Sequence, residues 1–245
     1  MQSRTEWKDY VISTAEPESI VSEAYRNLRA KLSRSIARGK KKTMLYSTWA
    51  EDGKSTACVN LAVSLTQLHL RVCLVDCDLR KPTISRIFGL GGELGMTDFL
   101  DDACSYDSIF HQTGLDNLWM VPSGKSHKNP ANLLGRPSCA HAFEKLSEFD
   151  CIVVDTAPLS ACGDAFLVAP NLDIGLLVVN PKNWDGEVEK RYLTQLNQTE
   201  LETIGVVLNG FDTDAKAYGY GHGYGYGYGY GAKKKSSGKE AKKKS

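Results

Sequence analysis

The chain has 245 residues, 42 % of them hydrophobic and 24 % charged, which fits one large α/β domain or a domain plus tails. Its apolar runs are strand-length, well short of the roughly 20 residues that cross a bilayer, and its polar N-terminus has no secretion-signal core. A cytosolic setting is expected, either alone or as the cytosolic part of a longer membrane chain, with no nucleic-acid partner. Net charge is +1, but residues 232–245 hold seven lysines and one glutamate, leaving 23 basic and 28 acidic residues elsewhere.

In chain order, Ile20, Ala24, Leu28, Leu32 and Ile36 recur at helical spacing and predict an amphipathic helix over Glu18–Ala37. A strand is expected at Met44–Tyr46, a glycine-bearing loop after it, and a helix from about Ser55 to His69. Further strands are read at Val72–Val75, Asn117–Val121, Cys151–Val154, Ile174–Val179 and Ile204–Leu208. Helices are expected over Pro130–Leu146, broken near Gly135 and Pro137, and over Glu187–Leu196. This alternation predicts a mostly parallel sheet with helices on both faces and a ligand at the carboxyl ends of the strands.

Three loops at that edge carry the chemistry. Gly53-Lys54-Ser55-Thr56, between a strand and a helix, is the end of a P-loop. Glycine lets the backbone approach a phosphate, and the helix start offers free N–H groups and a positive dipole. Lys54 can reach the β- and γ-phosphates, and the Ser55 hydroxyl can bind Mg²⁺. Position 48, where the usual pattern has glycine, is Thr48. Asp76 and Asp78 end one apolar strand and Asp155 another. Carboxylates beside a triphosphate repel it unless a cation joins them, so all three are read as Mg²⁺ ligands, and one of them can accept a proton. Asn180-Pro-Lys-Asn183 lacks the aspartate of a guanine-reading loop, which favours ATP. The seven cysteines include no C-x-x-C pair, and Cys73 and Cys151 lie in apolar runs, as reduced and buried thiols would.

After Asp214 the composition changes to a Tyr-Gly repeat, Tyr218–Gly231, followed by the lysine-rich end. Glycine at every second place costs much ordering entropy with no aliphatic burial to offset it, so residues 215–245 are expected to be disordered when free.

Together these loops resemble the bacterial tyrosine kinases of capsule and exopolysaccharide synthesis. The matching segments are Ser47–Thr56 for Walker A, Val72–Arg80 for the apolar-D-x-D motif and Ile152–Pro158 for Walker B. Glu23, Arg26 and Arg29 match the family's E-x-x-R-x-x-R, which serves ring-like self-association, and Tyr218, Tyr220, Tyr224, Tyr226, Tyr228 and Tyr230 match its tyrosine cluster. Gly163-Asp164-Ala165 and Gly205–Asn209 are further matches. The resemblance implies an N-terminal extension over 1–17, a P-loop kinase domain over 18–214 and a tyrosine- and lysine-rich tail over 215–245.

It also implies tyrosine autophosphorylation between subunits with Mg²⁺ and ATP. Asp76 would accept the tyrosine proton, Asp78 and Asp155 would place the metal, and Glu51, Asp52, Gly53, Lys54, Ser55, Thr56 and Asn209 would form the nucleotide set. The implied partners are further copies of the chain, a membrane-bound polysaccharide co-polymerase or activator, and a protein-tyrosine phosphatase, at the inner face of the cell membrane. The chain departs from the family's P-G-E-G-K-S-T loop, with Glu51 in place of a glycine. Two alternatives share the loops: a partitioning or cell-division ATPase switch, and a scaffold that binds nucleotide weakly.

Overall fold

The computed structural model describes residues 6–210. The tail with its tyrosines lies outside the described residues. Seven strands form one sheet: β1 (Lys42–Tyr46), β2 (Val72–Cys77), β3 (His111–Gln112), β4 (Leu118–Val121), β5 (Cys151–Thr156), β6 (Ile174–Val179) and β7 (Glu202–Leu208). Their order is β3-β4-β2-β5-β1-β6-β7, and every neighbouring pair is parallel except β3 with β4. The expected mostly parallel sheet is present. Among the described strands, β3 is the one the sequence reading lacks, because two residues leave no periodicity to read.

The helices are α1 (Ile12–Ala15), α2 (Ile20–Ala37), α3 (Lys54–Thr66), α4 (Thr83–Ile87), α5 (Met96–Leu100), α6 (Pro130–Leu134), α7 (Pro137–Lys145), α8 (Asp164–Val168) and α9 (Gly186–Leu196). The sequence reading also lacks the short helices α1, α4, α5 and α8. The helices divide between the two faces of the sheet. Tyr25 and Leu32 of α2, Ala57–Leu65 of α3 and Ile84 and Ile87 of α4 pack with Leu45, Leu74 and Val153 on one face. Residues of α5 to α9 pack with Met44, Val75 and Val154 on the other. Fully buried parallel strands read as continuous apolar runs for this reason: both faces are covered.

Two details depart from the periodicity. Helix α2 turns Ser22, Tyr25 and Leu32 inward, while Ile20 is 71 % exposed and Ala24 is exposed. Ahead of residue 18, Trp7 and Val11 pack into the α3-side core, and the Asn60 side chain on α3 accepts from Ile12 N at 2.8 Å and donates to Tyr10 O at 2.8 Å. The segment ahead of α2 thereby joins the same core. All seven cysteines are free, and five of them, including Cys73 and Cys151, are buried. Among the described residues no helix is long and apolar enough to cross a membrane.

Candidate active site

Strand register brings the acidic loops together. Asp76 and Asp155 are direct partners across β2 and β5. Side chains alternate along a strand, and Leu74 and Val153, two residues earlier, face α3. Asp76 and Asp155 therefore share the α3 face at the carboxyl edge, where the phosphate loop turns into its helix.

The contact is direct. Lys54, the first residue of α3, places its ammonium 2.5 Å from Asp155 Oδ1, and Ser55 Oγ donates to Asp155 Oδ2 at 2.6 Å. Lys54 is 6 % exposed and Asp155 fully buried. Burial opposes the ammonium, but Asp155, aided by Asp78, outweighs it and the Lys54 pKa is raised.

Asp76 is held within its own loop. Oδ2 accepts from Ser85 N at 2.9 Å and Ser85 Oγ at 2.8 Å, and Oδ1 accepts from Asp78 N at 3.2 Å. Burial and then the Asp155 charge push Asp76 up to about 7, against the pull of the Ser85 donors. Asp78 is also raised by burial, although the Lys81 amide and the Lys54 charge draw it back in part. Its Oδ1 accepts from Lys81 N at 2.9 Å and Arg80 N at 3.3 Å. The Arg80 guanidinium reaches across to Asp164 at the start of α8, with Nε–Oδ2 at 2.7 Å and Nη2–Oδ1 at 3.0 Å. That fork joins the Asp76–Asp78 loop to the segment following Asp155.

The phosphate loop is braced from the chain's last third. Thr48 Oγ1 donates to the buried Glu189 of α9, whose pKa is raised chiefly by burial. Asp52 accepts from Trp49 N at 3.2 Å and from Asn183 Nδ2 at 2.9 Å, and Asn209 Nδ2 donates to Asp52 O at 2.9 Å. Gly53, which caps α3, has φ +86°, and Glu51 has φ +65°. Position 51, where the resemblance leads one to expect glycine, falls where the backbone is left-handed, and the exposed Glu51 takes that conformation with a side chain. Thr56 contributes a backbone carbonyl, which accepts from Asn60 Nδ2 at 2.9 Å.

Lys54, Ser55, Asp76, Asp78 and Asp155 thus converge, and Asp52, Gly53 and Asn209 meet beside them. Glu23, Arg26 and Arg29 stand apart on α2. Glu23 pairs with Arg26 at 2.6 Å, and Arg29 donates to Ser64 O and Gln67 Oε1, each at 2.8 Å, at the far end of α3. Sequence reasoning missed Ser85 and Glu189, and read Asn183 only within the loop that lacks a guanine-reading aspartate; the partners of these three lie up to 141 positions away. Asp164 had a signal, the Gly-Asp-Ala match. Among the described residues no three carboxylate, imidazole or thiol side chains form a group able to hold a metal by themselves.

Comparison with known proteins agrees with this geometry. The chain matches the CobQ/CobB/MinD/ParA nucleotide binding domain over residues 43–219. It is 32 % identical over 202 residues to the tyrosine-protein kinase YwqD of Bacillus subtilis, covering 82 % of this chain and 85 % of that protein. It is 30 % identical over 206 residues to the tyrosine-protein kinase Wzc of Salmonella typhi, covering 81 % of this chain but 28 % of that longer protein. Its fold superposes on the kinase domain of the Escherichia coli tyrosine kinase ETK with a TM-score of 0.79 at 24 % identity, over 87 % of this chain and 85 % of that one. A phosphate loop facing paired strand-end aspartates, with these relatives, identifies the chain as a bacterial protein-tyrosine kinase built on the MinD/ParA-type nucleotide-binding domain.

Proposed function

We propose that the protein transfers the γ-phosphate of ATP to tyrosines Tyr218, Tyr220, Tyr224, Tyr226, Tyr228 and Tyr230 of a neighbouring copy, and so regulates capsular or exopolysaccharide synthesis and export. The observation that carries the proposal is the buried Lys54–Asp155–Ser55 contact, set beside Asp76 at the mouth of a phosphate loop. The Tyr-Gly segment supplies several acceptor hydroxyls within one short stretch of sequence.

The donor set fits Mg²⁺, since Ser55, Asp78 and Asp155 offer only oxygen. Mg²⁺ is ordinarily held by one or two carboxylates plus substrate phosphates, so a self-sufficient protein cage is not required. When bound, Mg²⁺ would neutralise charge building on the phosphate oxygens. The chain's own groups do the rest. Loop amides at the start of α3 and Lys54 bind the phosphates, and Lys54 exchanges part of its contact with Asp155 for the γ-phosphate. The tyrosine oxygen attacks the γ-phosphorus, the bond to the bridging oxygen of ADP breaks, and the phenol proton passes to Asp76. A carboxylate near pH 7 is matched to that role, which supports choosing Asp76. Glu51, Asp52, Thr56 and Asn209 complete the nucleotide set through the loop.

Arg26, Glu23 and Arg29 would face the next subunit of a ring, and a membrane-bound activator and a tyrosine phosphatase would act on the assembly at the inner membrane face. Delivery by a neighbour has a direct test. Lys54→Met chains with intact tails are mixed with tail-deleted chains that keep the site, in Mg·ATP. Phosphotyrosine on the Lys54→Met chains supports transfer between subunits, and none there, with wild type labelled, contradicts it.

A further inference from the structure

We infer that Asn209 is a positioning residue that presets the phosphate loop by orienting one peptide, Asp52–Gly53, before nucleotide arrives. Asn209 follows β7 directly, and its backbone N–H donates to Val179 O at 2.8 Å, which fixes it on the β6–β7 ladder. From there its side-chain amide donates to Asp52 O at 2.9 Å. A Cβ built on Gly53 would overlap that amide nitrogen, so the Asn209 side chain lies directly against the glycine α-carbon.

Peptide planarity gives this contact its consequence. In a trans peptide the C=O and N–H point in opposite directions. Holding Asp52 O on Asn209 therefore turns Gly53 N–H away from Asn209, and among the described residues that N–H has no acceptor within the chain. Gly53 is the N-cap of α3, so its N–H joins the free amides of the first helical turn. Glycine at φ +86° is also the residue most able to let this peptide flip, because it reaches both signs of φ at little cost. Asn209 blocks the flip. Gly53 is demanded twice at this point, by its left-handed backbone and by the Asn209 amide packed on it. Glu189 and Asn183 brace Thr48 and the Asp52 side chain, but of these bonds only that from Asn209 takes the Asp52 carbonyl. This role differs from contact with the nucleotide itself, and only its second readout rests on the nucleotide reading.

The test uses the full chain with Asn209→Ala and the near-isosteric Asn209→Leu, which lacks the donor but leaves no void. The first readout is amide hydrogen exchange over residues 49–56 in nucleotide-free protein, and the second is the dissociation constant for Mg·ADP. The expected result is at least fivefold faster exchange in that segment and at least tenfold weaker Mg·ADP binding, in whichever variants keep the wild-type melting profile. Unchanged exchange overturns the role, and if affinity alone falls, Asn209 touches nucleotide directly instead. Faster exchange with unchanged affinity also overturns it, because the loop would then be shaped by its ligand. If wild type itself binds no Mg·ADP, the nucleotide reading fails, while the exchange comparison still decides what Asn209 does.

Discussion

The Lys54 ammonium and the Asp155 carboxylate meet at 2.5 Å with almost no solvent on either, and Ser55 completes the carboxylate's hydrogen bonding. The lysine proposed to bind phosphate is thus also one half of a buried ion pair. Removing one partner of such a pair leaves the other charged and unmatched, which typically costs about 3–5 kcal/mol.

Lys54→Met is therefore expected to abolish phosphorylation and also to lower stability, by about 2–4 kcal/mol once the retained Ser55 bond is allowed for. The double variant Lys54→Met with Asp155→Asn should recover most of that stability and stay inactive. Denaturant unfolding and a phosphotyrosine assay separate the two effects. Equal stability of wild type and Lys54→Met would mean that the pair carries no folding energy.

Asp76 predicts a pH dependence in protein free of metal and nucleotide. Its folded pKa, about 7, lies above the ordinary 3.8, so the folded state binds the extra proton between those values. Stability from this group is full below the unfolded pKa and falls as pH rises toward and through 7. Asp76→Asn should flatten that fall and melt higher than wild type at pH 8, while lowering the transfer rate about a hundredfold or more. Parallel melting curves for the two proteins from pH 5 to 8 would contradict the assignment.

Arg80 and Asp164 should respond unequally. Asp164 is 1 % exposed and Arg80 44 %, so Arg80→Ala strands a buried carboxylate, whereas Asp164→Asn leaves a cation that water can reach. Arg80→Ala is expected to cost about 1–3 kcal/mol and Asp164→Asn less. Both should slow transfer by loosening the loop that carries Asp78. Chemical denaturation of both variants measures the order, and a larger loss for Asp164→Asn would contradict it.

Arg26 and Arg29 also part company. Arg26 pairs on the helix surface with Glu23, whereas Arg29 bonds the carboxyl end of α3. Arg26→Ala should weaken assembly in sedimentation without lowering the melting temperature of dilute protein. Arg29→Ala should do both, with a stability loss of about 1 kcal/mol. Unchanged sedimentation of both variants, where wild type assembles, would remove the interface role.

Much of this architecture was legible because the apolar runs of β1, β2, β5, β6 and β7 are punctuated by turn and cap residues at their carboxyl ends. Lys54, Asp76 and Asp155 could be placed at one edge for the same reason, since each follows or ends a strand in a parallel sheet. The inward stripe of α2 was read in part: Leu28, Leu32 and Ile36 pack on the core, but Ile20 and Ala24 do not. Tyr25 and Ser22 are buried there, and an apolar count ranks Ile20 and Ala24 above them. Burial of a hydroxyl is decided by a partner, here Glu16 O for Ser22, and not by hydropathy. The links from Thr48 to Glu189 and from Asp52 to Asn183 had no local signal, because each joins residues more than 130 positions apart. Glu51 was visible as a departure from the resemblance's loop, and the backbone shows what it costs: φ +65° is a left-handed conformation that glycine adopts without strain.

Glu51→Gly should accordingly stabilise the nucleotide-free protein by about 1 kcal/mol, by removing left-handed strain at a residue with a side chain. It should also tighten Mg·ATP binding, because a negative charge leaves the phosphate loop. Glu51→Gln, which keeps the strain and removes the charge, should show the second effect alone. Calorimetric titration together with melting measures both, and unchanged affinity in both variants would show that Glu51 does not bear on nucleotide.

The central claim is transfer from ATP to the tyrosine repeat by the Lys54–Asp155 site. Its most direct test is mass spectrometry of the 218–230 segment after incubating purified wild type and Lys54→Met with and without Mg·ATP. Phosphate on several of those tyrosines in wild type alone, and only with Mg·ATP, is the predicted result. An unmodified segment in wild type that hydrolyses ATP, or equal labelling of Lys54→Met, would contradict the account.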